Sequence, residues 1–117
     1  MNFTEAAETH EAWKTKLSAY IDDPDGSLTW SAVADDTACD LGKWILARAA
    51  KCGGEKAYVE LKGWHSMFHA AAADAIRMAG SGERASEAGL ISSIDAFELA
   101  SRKVVGLIVR MKALHSA

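Results

Sequence analysis

Apolar side chains recur every three or four residues along most of this chain, the interval at which one face of an α-helix returns. In the first segment they fall at Phe3, Ala6, Trp13, Leu17, Tyr20 and Ile21, and His10 occupies a place on the same stripe. The spacing predicts a helix over roughly 3–21 with Thr4 as its cap. Pro24 and Gly26 in "DDPDGS" then break it. With Gly26 as the sixth position of a calcium loop, the first and twelfth positions are Ile21 and Ala32. Neither is a carboxylate, so the stretch is a turn.

"DDTACDLGKWILARAAKCGG" reads as a short helix opened by Asp36 or Thr37 and closed by Gly53 and Gly54. A third helix, about 55–79, sets Tyr58, Leu61, His65, Phe68, His69, Ala72 and Ile76 on one arc. After a tight connector, "GSG" at 80–82, a fourth helix over about 84–115 repeats Leu90, Ile94, Phe97, Ser101, Val104, Ile108 and Met111. Ile91, Val105, Leu107 and Val109 widen its apolar arc. The expected fold is all-α: a four-helix bundle of three long helices and one short helix carrying Cys39, forming a single domain over 1–117.

Composition narrows the partners. Half of the 117 residues are hydrophobic and a quarter charged, enough for an ordered core without staples. The net charge is −3 and the lysines and arginines are scattered, which argues against a nucleic-acid surface. The opening "MNFTEAAETHEAWK" is acidic and amphipathic, unlike a secretory signal, and the runs "HAAAADAIRMAG" and "VVGLIV" are too short for membrane insertion. Cys39 and Cys52 form no CxxC and lie roughly 20 Å apart along a continuous helix, too far for a disulfide. The chain is expected to be cytoplasmic with reduced thiols.

The chemistry concentrates on four residues. His65 and His69 in "HSMFH" are one helical turn apart on the core-facing arc, so both imidazoles can reach one ion. Taken alone, the pair reads more readily as two core histidines satisfied by hydrogen bonds than as a metal pair. His10 lies on a core stripe too, and three imidazoles buried together without a common partner are costly. Cys39 is placed in the first turn of its helix, where the positive end of the macrodipole lowers a thiol's pKa and favours thiolate. Gly42, a poor helix former, marks a close approach to the backbone. Three imidazoles and a thiolate complete a tetrahedral set for Zn²⁺. The spacing of His65 and His69 matches a zinc-protease frame, but Ser66 stands where the catalytic glutamate belongs. The set holds zinc and leaves no base to activate water, which argues against an enzyme. The core stripes lack the bridging carboxylates of a hemerythrin-like diiron bundle, and a haem-binding bundle is a further, weaker alternative.

"HEAWK", "CDLGKW" and "HSMFH", in that order over residues 10–69, resemble the pattern of the chemoreceptor zinc-binding domain of bacterial signalling proteins. The resemblance implies His10, Cys39, His65 and His69 as ligands and a zinc-responsive or oxidant-responsive regulatory module. It also implies an output partner such as a chemoreceptor or a diguanylate cyclase. A purely structural zinc is the alternative use of the same site. Cys39, the only ligand an oxidant readily converts to a non-ligand, is the expected redox switch. Trp13, Trp44 and Trp64, each near a ligand in sequence, are expected to pack around the site with Gly42. Cys52 reads as an ordinary helix-end thiol, His115 as structural or solvent-facing, and Asp35, Asp36 and Asp40 as caps or solvated charge. Gly63, Met67, Ala70 and Met78 lie on the face of the third helix away from the ligands, with Asp74 among them. Such a face suits a homodimer.

Overall fold

Local signals decide where each helix begins and ends. In the computed structural model, which describes residues 1–24, 26–80 and 87–115, the order is α1 (Phe3–Asp22), α2 (Trp30–Ala34), α3 (Asp40–Cys52), α4 (Lys56–Gly80) and α5 (Glu87–His115). Among the described residues there is no strand. Asn2 caps α1 by accepting the Glu5 N–H at 3.1 Å. The predicted cap, Thr4, lies inside the helix, and its hydroxyl accepts from Lys112 Nζ at 2.8 Å. Gly26, at φ +80°, supplies the left-handed turn after Pro24. The Ser81 and Gly82 part of the "GSG" connector and the predicted onset of the last helix at 84 lie outside the described residues.

The apolar stripes meet along α4. Leu61, Phe68, Ala72, Ala75 and Ile76 are sealed there, and buried alanines at 71, 73 and 79 keep its surface thin enough for close neighbours. α5 lays Leu90, Phe97, Ala100, Val104, Ile108 and Met111 against it, and α1 adds Ala6, Leu17 and Tyr20. The Phe68 and Phe97 rings meet at 4.8 Å, tilted by 43°, across the α4–α5 seam. The result is a rod of 48 × 22 × 20 Å.

Two features depart from the sequence reading. α2 was not predicted; at five residues it is too short to show a period, and it forms by packing on α4. The short helix starts at Asp40, not at Asp36 or Thr37. Asp35 Oδ1 accepts from the Thr37 N–H at 3.0 Å and the Thr37 hydroxyl at 2.6 Å, folding that segment into a turn instead of a helix. The turn crosses the first turn of α3 so closely that a Cβ on Gly42 would sit 1.7 Å from the Asp36 carbonyl oxygen. The close approach inferred from Gly42 is thus made by the chain's own backbone.

Gly42→Ala must push the 36–39 segment away from α3. We expect a loss of stability of about 1–3 kcal/mol, read by denaturant unfolding, together with weaker metal binding because Cys39 moves with the segment. Unchanged stability and metal affinity would contradict the packing described.

Candidate metal centre

Three separate elements bring His10, Cys39, His65 and His69 together. α1 turns His10 inward on the stripe shared with Ala6 and Leu17. α4 presents His65 and His69 from consecutive turns. The turn before α3 delivers Cys39 as the N-cap of that helix, where its sulfur accepts the Gly42 N–H at 3.3 Å. The four ligand atoms all lie within 4.8 Å of one another. The imidazoles are 3 %, 1 % and 7 % exposed at His10, His65 and His69, and Cys39 is half-buried.

The spacing fits a zinc-sized ion. Cys39 Sγ lies 3.2 Å from His65 Nε2 and 3.7 Å from His69 Nε2, and the two Nε2 atoms are 3.0 Å apart. A tetrahedron with Zn–N of about 2.0 Å and Zn–S of about 2.3 Å has N–S edges near about 3.5 Å and N–N edges near about 3.3 Å. The differences amount to a few tenths of an ångström.

Backbone carbonyls select the tautomers. His10 Nδ1 donates to the Ala6 carbonyl at 2.7 Å and His69 Nδ1 donates to the Val33 carbonyl at 2.8 Å. A carbonyl only accepts, so the proton sits on Nδ1 and the Nε2 lone pair is free for the metal. This gives the unpredicted α2 a role: it carries Val33 to the outer nitrogen of a ligand. Neither Ala6 nor Val33 could be found by reading side-chain types, because the contact is made by a carbonyl every residue possesses.

Electrostatics keeps His10, Cys39 and His65 uncharged until an ion arrives. Burial, and then the neighbouring His69 and His10 rings, push His65 down to about 3. His10 is lowered chiefly by burial, with His69 adding to the effect and the Ala6 hydrogen bond opposing it. Burial pushes the Cys39 thiol up. Backbone N–H groups of Gly42, Leu41 and Cys39 act in the opposite direction without prevailing. The expected lowering of this thiol by the helix terminus is therefore corrected: desolvation outweighs the macrodipole at this N-cap, and Asp36 raises it further.

The ring packed against the imidazoles is Phe68, at 5.1 Å from His10 and 5.4 Å from His69. Trp44 packs instead on Phe3 at 5.3 Å, Tyr58 at 6.4 Å and His115 at 6.3 Å. Trp13 and Trp64 are half-buried, each under a lysine, Lys16 and Lys103 respectively. Cys52 and His115 are not part of the quartet; they meet one another near Glu55.

A family model described as "Chemoreceptor zinc-binding domain" matches residues 10–76, more than half of the chain and a span enclosing all four residues. No curated protein and no solved structure matches the chain. Zinc is accordingly the metal that the quartet is positioned to coordinate.

With the thiol protonated and the His10 and His65 rings neutral, zinc uptake must displace the thiol proton. We expect release of about one proton per zinc near neutral pH, measured by calorimetry in buffers of different ionisation enthalpy. Release close to zero would mean that a thiolate is already present.

Proposed function

The chain belongs to the chemoreceptor zinc-binding domain family, and on that premise we propose a non-enzymatic, zinc-binding regulatory module that answers to zinc occupancy or to oxidation of Cys39. The observation that carries this reading is the convergence of His10, Cys39, His65 and His69 within 4.8 Å; a tetrahedral zinc held by all four would have no position left for an activated water. All four act as zinc ligands, with Gly42 holding the Cys39 segment close.

Cys39 is the switch in this reading. Zinc has no redox chemistry, so a redox response belongs to the sulfur. A peroxide transfers one oxygen atom to the thiolate, giving sulfenic acid and leaving as water or hydroxide, and the sulfur ceases to be a good ligand. α3 is the element that responds. Leu46, Ala47, Arg48, Ala49, Ala50 and Lys51 are all exposed, so α3 lies along the outside of the bundle, seated on it by Leu41, Ile45 and Cys52. Loss of the Cys39 bond loosens it, and zinc occupancy tightens it by mass action. A zinc that only holds the bundle together is the second reading, favoured by the burial that pushes the Cys39 thiol up, away from the reactive thiolate.

The module is proposed to act in the cytoplasm on an output protein such as a chemoreceptor or a diguanylate cyclase. Among the described residues no helix is long and apolar enough to cross a membrane. A homodimer is the proposed assembly. Met67 at 48 %, Val59 at 53 %, Ile91 at 57 % and Val109 at 59 % are exposed, Gly63 and Ala70 are open, and Met78 is half-buried against the core. Asp74 meets Arg77 of its own helix at 3.5 Å, which reduces its cost at such a contact. Light scattering should give twice the chain mass; a monomer at high micromolar concentration rejects the dimer.

To test the switch, the zinc-loaded protein is treated with peroxide while released zinc is followed with a chromophoric chelator and exchange of the 37–52 amides is measured. Zinc release with faster exchange is expected, and Cys39→Ala should bind zinc weakly and fail to respond. Oxidised Cys39 with zinc retained and the amides protected would leave only the structural reading.

A further inference from the structure

At the far end of α3 from the quartet, Cys52 is the last helical residue and is 5 % exposed. The Gly53–Gly54 turn reverses the chain so tightly that the Glu55 N–H donates to the Cys52 carbonyl at 2.8 Å, which returns the Glu55 side chain over the thiol. His115, the last residue of α5, closes the third side, with Nε2 at 3.1 Å and 3.2 Å from the two Glu55 oxygens. One ligand atom from each of the three residues falls within 4.8 Å of the others. Cys52 and Glu55 lie within the span of the family match, residues 10–76, and His115, which completes the cluster, lies beyond it.

We propose that Cys52, Glu55 and His115 form a second, open site for a zinc-type divalent cation, independent of the quartet. The donors are one thiolate, one carboxylate and one imidazole, a mixture that suits a borderline ion of the zinc class better than calcium or magnesium. Three protein donors leave the fourth position to water, so this ion is held more weakly and exchanges more readily than one in a closed set of four. The sulfur is sheltered, while the side chains of His115 and Glu55 are 30 % and 32 % exposed, so the ion enters from their side. Uptake breaks the direct His115–Glu55 contact, displaces the Cys52 thiol proton and any proton shared by His115 and Glu55 to solvent, and forms three metal bonds. The second ion ties the end of α3 to the ends of α4 and α5. With both sites filled, α3 is fastened at each end, giving the chain a second response at higher zinc.

The test uses the full chain already holding one zinc equivalent. Zn²⁺ is then added in competition with a chromophoric chelator, and Co²⁺ is added in parallel to look for a sulfur-to-metal charge-transfer band. A second, weaker equivalent is expected, accompanied by a change in tryptophan emission, because the Trp44 ring lies 6.3 Å from that of His115. Cys52→Ser, Glu55→Gln and His115→Ala should each weaken the second equivalent by more than about tenfold, leaving the first unchanged. Retention of the first equivalent and an unaltered far-ultraviolet dichroism spectrum show that each variant is folded; should the buried Cys52→Ser misfold, the other two decide. No second equivalent at all, an ion pair only, would overturn the proposal. So would a second equivalent that binds equally well to His115→Ala and Glu55→Gln. Either failure leaves the quartet's first equivalent in place, so it is distinguishable from failure of the regulatory reading.

Discussion

Three buried imidazoles and a thiol facing one point form the constraint on which this structure depends. Without an ion, His65 cannot protonate at ordinary pH and Cys39 cannot ionise easily, because desolvation opposes both charges. Their inward-facing atoms pair with one another, Cys39 Sγ and His69 Nε2 lying 3.2 Å and 3.0 Å from His65 Nε2. A divalent cation relieves all four at once. The fold is arranged to keep that point small: α1 and α4 fix the imidazoles from two long, well-packed helices, and the Ala6 and Val33 carbonyls fix their orientation.

The fourth ligand is held differently. Cys39 belongs to a turn and a short surface helix, which is seated on the bundle by buried Leu41, Ile45 and Cys52 and by the Tyr58 hydroxyl donating to the Ile45 carbonyl. Three ligands sit on two long helices and one at the N-terminus of a shorter helix on the outside of the bundle. In the proposed reading, that asymmetry is what lets the sulfur report the state of the site. The same helix ends at Cys52, beside Glu55 and His115, so its other end also faces potential ligands.

Much of this could be read from the sequence. The long helices have strong periods, and most residues assigned to a stripe are buried, His10, His65 and His69 included, while Phe3, Trp13, Ile21 and Ile94 are half-buried against the core. The ordered motifs carrying the quartet were legible because thiol and imidazole are rare, spaced signals. What escaped was local or belonged to the backbone. Asp35 diverted the start of the short helix into a turn, and α2 was too short to show a period. The carbonyls of Ala6 and Val33 have no side-chain signature. The thiol's pKa was misjudged because helix position is visible in a sequence and burial at a crossing loop is not. Cys52 and His115 were read separately because they lie far apart in the chain; only folding shows that they meet.

The central claim is a closed site of three imidazole nitrogens and one sulfur. X-ray absorption at the zinc edge, on protein carrying a single equivalent, tests it most directly. The account predicts three nitrogen neighbours at about 2.0 Å and one sulfur at about 2.3 Å, with imidazole multiple-scattering features. A first shell without sulfur, or one completed by an oxygen from water, would contradict it.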